Sequence, residues 1–235
     1  MGSLTFAAPK AELLVQLKRI MPFAAFRPED LPELISGARQ AIAAPGTTLQ
    51  ASKNSLYAIL EGAVCLLRRL PGHEHRCLVE ISDAPCLFGE AALFDDQAVP
   101  IEAEVLRQAL IVELRASTVR RCLTNSPAAQ LRMLGYMSAS LKRLVIQITM
   151  LKLMTGPRRL AQFLISLVDH SGRKDGIDLP FEKKTLAALL GITPESLSRA
   201  FHRLKPLGVG TNRAGSISID DVERLRQFIE AEPVQ

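Results

Sequence analysis

The 235-residue chain contains no apolar run approaching the ~20 residues that a membrane-spanning helix needs. Its start, Met1 to Pro9, lacks the basic flank and sustained apolar core of a signal peptide, so a cytoplasmic location with no membrane partner is expected. Cysteine is scarce. Cys65, Cys77, Cys86 and Cys122 are scattered and form no C-x-x-C pair, which argues against a structural zinc site and against an iron–sulfur cluster held by closely spaced thiolates. Buried, reduced thiols are the expectation. The segments that read as strands also lack a cluster of metal ligands or an acid–base pair. A cupin-like metal enzyme, the rival from another class, therefore has no chemistry to work with, and neither catalytic residues nor a metal site are expected. Disorder is excluded by 48% hydrophobic against 23% charged residues. What the chain does have is a net charge of +5 and a pI near 9.2, which suit a nucleic-acid partner without proving one.

Along the chain the texture changes three times. Leu13, Leu14, Leu17 and Ile20 fall at helical spacing in an amphipathic N-terminal region. From Ile42 onward, Leu56–Leu60, Val64–Leu70, Arg76–Ile81 and Ala109–Leu114 read as short strands. Pro45-Gly46, Glu61-Gly62 and Pro71-Gly72-His73 punctuate them as turns, and the spacing suggests a small antiparallel barrel or roll. After Ser126-Pro127, which suits a helix cap and first turn, a helical segment runs to about Thr155. Met137, Leu141, Leu144, Ile148 and Leu151 alternate spacings of four and three along it, as a coiled-coil seam does, and Leu134 and Val145 widen the stripe. Homodimerisation through Leu134, Met137, Leu141, Leu144, Ile148 and Leu151 is expected. A helix buried within a monomer is the alternative. Gly156-Pro157 ends the segment, and a further helix to about His170 carries Leu160, Phe163, Leu164 and Leu167 on one face.

The segment Lys183 to Leu204 carries the chemistry. Leu186, Leu189 and Leu190 make a short amphipathic helix, Gly191 permits a sharp turn, and Ile192 anchors it. Thr193 can cap the next helix and Pro194 fits its first position. That helix separates into faces. Leu197, Phe201 and Leu204 point to a core, while Glu195, Ser198, Arg199 and His202 share the opposite side. Arginine can fork onto guanine, glutamate can accept from cytosine, and serine can contact base or phosphate. Glu195, Ser198 and Arg199 are the expected base readers. Lys183, Lys184, Thr193, His202, Arg203 and Lys205 are expected at the DNA backbone or flanks. Gly208-Val209-Gly210 through Ser216-Ile217-Ser218-Ile219 alternates as a hairpin wing with Arg213 near its tip, another flanking contact, and Asp220 with Glu223 forms a capping-box pattern for a final helix.

PGTTL at Pro45–Leu49, LYAILEGAVCL at Leu56–Leu66, FGEAALFDD at Phe88–Asp96 and LAALLGITPESLSRAFHRL at Leu186–Leu204 together resemble the CRP/FNR superfamily of bacterial transcription regulators. The resemblance implies an α+β fold: an N-terminal antiparallel β-roll of the cyclic-nucleotide-binding type (a double-stranded β-helix), a long dimerisation helix, and a C-terminal winged helix-turn-helix. The expected domains are 1–125, 126–155 and 156–235. It also implies double-stranded DNA with a palindromic, TTGA-like half-site as partner, RNA polymerase as a second, and a small-molecule or gas effector sensed in the roll. The effector pocket would then involve Gly89, Glu90, Pro100 and Ile101.

Two departures narrow that picture. Members that bind cyclic nucleotides follow the Gly-Glu motif with an Arg-Ser pair that holds the phosphate. Here the corresponding stretch is Ala98-Val99-Pro100-Ile101, which offers no charged fork, so cyclic AMP is not expected and Glu90 reads as a structural hydrogen-bonder. The N-terminal cysteine cluster of iron–sulfur members is absent too. A haem-dependent nitric oxide or carbon monoxide sensor is the alternative within the family, with His73 or His75 as ligand, against solvated turn histidines. For a hairpin centred on Gly72-His73, Cys65 opposes Glu80 and Cys77 opposes Arg68, which leaves no cross-strand disulfide.

Overall fold

The computed structural model describes residues 12–69, 76–95, 101–171, 182–211 and 216–231. Its chain contacts divide it into two compact units, residues 1–141 and 142–235, and the border falls inside one long helix.

In the first unit, helices α1 (Leu13–Leu17) and α2 (Leu31–Ser36) precede six strands. These are β1 (Arg39–Ala43), β2 (Thr48–Gln50), β3 (Ser55–Arg69), β4 (Arg76–Asp83), β5 (Cys86–Phe88) and β6 (Glu102–Arg115). They form one antiparallel sheet with path β1-β6-β3-β4, while β2 adds to β6 and β5 to β3. Alternation along β3 explains why both of its faces are apolar. Leu56, Ala58 and Leu60 point into one core with Leu13, Leu17, Phe23 and Leu34. Tyr57, Ile59, Val64 and Leu66 point into a second, with Phe88, Val105 and Ile111. Tyr57 and Phe88 stack there with ring centres 4.7 Å apart.

The sequence predicts two strands separated at Glu61-Gly62. The structure has one, because β6 pairs with both halves of β3 and the extra residues become bulges rather than a turn. Gly62, at φ +89°, takes the bend, and a Cβ there would stand 2.3 Å from the Gln108 carbonyl oxygen. A second bulge, between Leu66 and Leu67, moves Cys65 from opposite Glu80 to opposite Ile81, while Cys77 does face Arg68. Cys65, Cys86 and Cys122 are buried free thiols; Cys77 is exposed, on the solvent side of β4 rather than inside.

α3 (Ala116–Asn125) leads to α4 (Pro127–Leu153), the longest helix. Ser126 caps α4, its hydroxyl oxygen accepting from the Ala129 N–H at 3.2 Å. Ala129 and Met133 bury one face in the first core, and the Tyr136 hydroxyl accepts from the Leu87 N–H at 2.8 Å.

The second unit holds α5 (Gly156–Ser171), α6 (Lys183–Leu189), α7 (Pro194–Leu204), the hairpin β7 (Val209–Thr211) and β8 (Ile217–Ile219), and α8 (Val222–Ala231). One core joins them through Leu160, Leu164, Leu186, Leu197, Leu204 and Leu225. The buried Arg158 donates to the Ile229 carbonyl and ties α5 to the last turn of α8. The cap of α8 is Asp221 rather than Asp220. Its carboxylate accepts from the N–H groups of Glu223 and Arg224 at 2.9 and 3.2 Å, whereas Asp220 is still held in the hairpin, its N–H donating to Gly208.

Candidate nucleic-acid interface

α6 and α7 are joined by a turn that only Gly191 permits at φ +61°, and a Cβ there would lie 2.8 Å from the Leu151 side chain. Ile192 packs on the unit's core behind this turn. Thr193 then starts α7, its hydroxyl oxygen accepting from the Ser196 N–H at 3.2 Å, and Pro194 occupies the first turn, where no N–H is needed. The faces of α7 follow from its sequence. Leu197, Ala200 and Leu204 are buried and Phe201 is half-buried, so Glu195, Ser198, Arg199 and His202 are turned outward, all exposed. Lys183, Lys184, Thr193, Arg203 and Lys205 are exposed around them. The Lys183 ammonium stands 5.8 Å from the centre of the Phe201 ring, and the Arg203 guanidinium is at the same distance from Phe228. Arg213 lies outside the described residues.

The stripe is internally organised. Arg199 Nη2 donates to Ser196 Oγ at 2.9 Å, and the Ser196 and Thr193 hydroxyls are hydrogen-bonded at 3.2 Å. Glu195's own backbone N–H, the Thr193 hydroxyl and the Arg199 charge hold the Glu195 carboxyl below the usual carboxylate range, so it is an anion at neutral pH. Ser198 donates its one hydroxyl proton to the Pro194 carbonyl at 3.1 Å, leaving its lone pairs facing outward. Ser196 is missing from the sequence-based set of contacts. The signal for it was present, three residues after the cap and three before Arg199.

Charge separates between the units. Residues 142–235 carry 15 Lys and Arg against 10 Asp and Glu, while residues 1–141 carry 14 of each, so the whole net charge of +5 sits with the helix pair.

In the first unit, Gly89 (φ +84°) opens a 3-10 turn over Glu90–Leu93, and Ile101 accepts from the Ala51 N–H at 2.9 Å beside the second core. Pro100, His73 and His75 lie outside the described residues. Among the described residues no cluster of three or more His, Cys, Asp or Glu side chains is placed to hold a metal, and no helix is long and apolar enough to cross a membrane.

Residues 47–126 match the cyclic nucleotide-binding domain family, and residues 158–228 match the Crp-like helix-turn-helix domain family, in that order on one chain. The chain belongs to the CRP/FNR family of transcription regulators. CRP/FNR proteins are regulators that bind DNA, not enzymes, and are typically dimeric. No curated protein matches the chain by sequence. Among solved structures, a Ruegeria pomeroyi protein provisionally assigned to cyclic nucleotide binding is 27% identical, with a TM-score of 0.60 over 95% of this chain and 100% of its own. A regulator from Eubacterium rectale provisionally placed in the CRP/FNR family is 15% identical, with a TM-score of 0.71 over 88% and 97%. FixK2 from Bradyrhizobium japonicum is 19% identical, with a TM-score of 0.67 over 81% and 96%. The last two speak for the shared fold alone.

Proposed function

We propose that this CRP/FNR regulator acts as a homodimer whose two α7 helices read the half-sites of a palindromic operator, under control of a signal sensed in the β-roll. The outward stripe Glu195, Ser198, Arg199 at the start of α7 carries the reading. Arg199 has four N–H donors left after Ser196 takes one, enough to fork onto the O6 and N7 of guanine. The anionic Glu195 accepts from the cytosine amino group. Ser198, its proton engaged inward, accepts rather than donates, which suits an adenine or cytosine amino group. These preferences are compatible with a TTGA-like half-site. Lys183, Lys184, Thr193, His202, Arg203 and Lys205 flank the stripe and supply phosphate contacts that set position rather than sequence. RNA polymerase is the partner a regulator so placed would engage.

Dimerisation is supported by α4. Leu134, Leu141 and Ile148 are 62%, 63% and 51% exposed in the single chain, Met137 and Leu151 are exposed too, and Leu144 is half-buried. An apolar stripe of this length, left open to water, is the seam of a two-helix interface. The signal is proposed to act near Gly89, Glu90 and Ile101 and to be something other than a cyclic nucleotide. The stretch Ala98-Val99-Pro100-Ile101, where cyclic-nucleotide binders carry an Arg-Ser pair, has no cation to fork onto a phosphate.

Arg199→Ala tests the reading. Specific operator affinity should fall by about 1–3 kcal/mol and the preference at one base position should flatten, measured by fluorescence anisotropy on operator variants. Equal weakening on every sequence, with a shallower salt dependence, would make Arg199 a phosphate contact instead.

A further inference from the structure

The geometry points to Ser196 as a positioning residue for base readout: it holds the Arg199 guanidinium toward the groove before DNA arrives. This rests on the base-reading role proposed for Arg199. Arginine has a long, flexible side chain, and an exposed one samples many rotamers whose freezing on binding opposes affinity. Arg199 is exposed, yet its Nη2 is tethered to Ser196 Oγ at 2.9 Å, one turn back on the same flank of α7. Ser196 is itself fixed. It is half-buried, its N–H donates to the Thr193 cap at 3.2 Å, and its hydroxyl is hydrogen-bonded to the Thr193 hydroxyl at 3.2 Å. A chain of polar contacts thus runs from the helix cap through Ser196 to the arginine. Glu195 belongs to the same cap: its own backbone N–H, then the Thr193 hydroxyl and last the Arg199 charge favour its anionic form. The tether leaves the rest of the guanidinium fork free, so it limits orientation without using up the donors that a guanine needs.

Ser196→Ala removes the tether while the Thr193 cap, which takes a backbone N–H, stays intact. Ser196→Thr keeps a hydroxyl at the same place. The experiment is a set of anisotropy titrations on full-length wild type, S196A, S196T and R199A. The duplexes are a selected operator, its three single-base variants at the position that R199A flattens, and a random-sequence control, each at several salt concentrations. S196A should cut discrimination at that one position by roughly three- to tenfold, the worth of one hydrogen bond, with binding to random DNA and the salt slope unchanged. S196T should restore it. If S196A weakens all duplexes equally, random-sequence DNA included, Ser196 is a neutral phosphate contact and the proposal is overturned. It is overturned equally if S196A changes nothing while R199A flattens its position. An R199A that flattens no position at all overturns the base-reading role beneath it.

Discussion

Replacing Leu141 with glutamate is expected to convert the regulator to a monomer and weaken operator binding by roughly 10²–10⁴-fold, the advantage that a second linked half-site confers. The side chain lies 63% exposed on α4, so the substitution disturbs nothing within one chain. In a two-helix seam the same position faces its own copy across the two-fold axis, and two carboxylates would be pressed together where two leucines had excluded water. Leu144 is a less clean choice, because it is half-buried already and a charge there would also act on the single chain. Sedimentation gives the mass and anisotropy the affinity. A Leu141→Glu protein that stays dimeric would show that the exposed stripe serves something other than self-association.

The second large effect is on stability. Gly62→Ala should destabilise the first unit by about 4 kcal/mol, combining the cost of a left-handed backbone with that of overpacking. The three atoms nearest the added Cβ would all be backbone: the Gln108 carbonyl oxygen at 2.3 Å and the Ala109 Cα and Arg107 carbonyl oxygen at 2.8 Å. Backbone in the middle of a paired strand cannot rotate aside as a side chain can. Gly46→Ala is the matched control. It has φ +81° and open space around it, so only the conformational cost, about 1 kcal/mol, should appear. The chain has no tryptophan, and both tyrosines, Tyr57 and Tyr136, fall in residues 1–141, so tyrosine fluorescence during urea unfolding reports that unit alone. Equal midpoints for the two variants would mean that β3 does not bend against β6 as described.

The elements legible in the sequence were those with strong local signals. The α7 stripe followed from one apolar face, one cap and one proline, all set by side chains within 12 residues of one another, Thr193 to Leu204. The exposed apolar stripe of α4 followed from spacing, and Ser126-Pro127 marked the start of the helix. What failed depended on distant partners. Glu61-Gly62 reads as a turn until β6 is seen to pair on both sides of it, and Cys65 moved by one partner because of a bulge at Leu66. Asp220 looked like the better cap for α8 because a Glu lies three residues on, but the hairpin holds its N–H and leaves capping to Asp221. Ser196 was overlooked for another reason. Its spacing of three from both the cap and Arg199 is visible in the sequence, but a face assignment by hydropathy does not weigh a contact between two polar side chains.

Selection of bound sequences from randomised duplexes by the full-length protein tests the regulator most directly. The enriched sequence should be two-fold symmetric, with half-site centres about 34 Å apart, one turn of B-DNA, and a guanine in each half that Arg199→Ala ceases to prefer. Recovery of a single unpaired half-site, a direct repeat, or no motif above the random background would contradict a two-fold pair of α7 helices reading base edges.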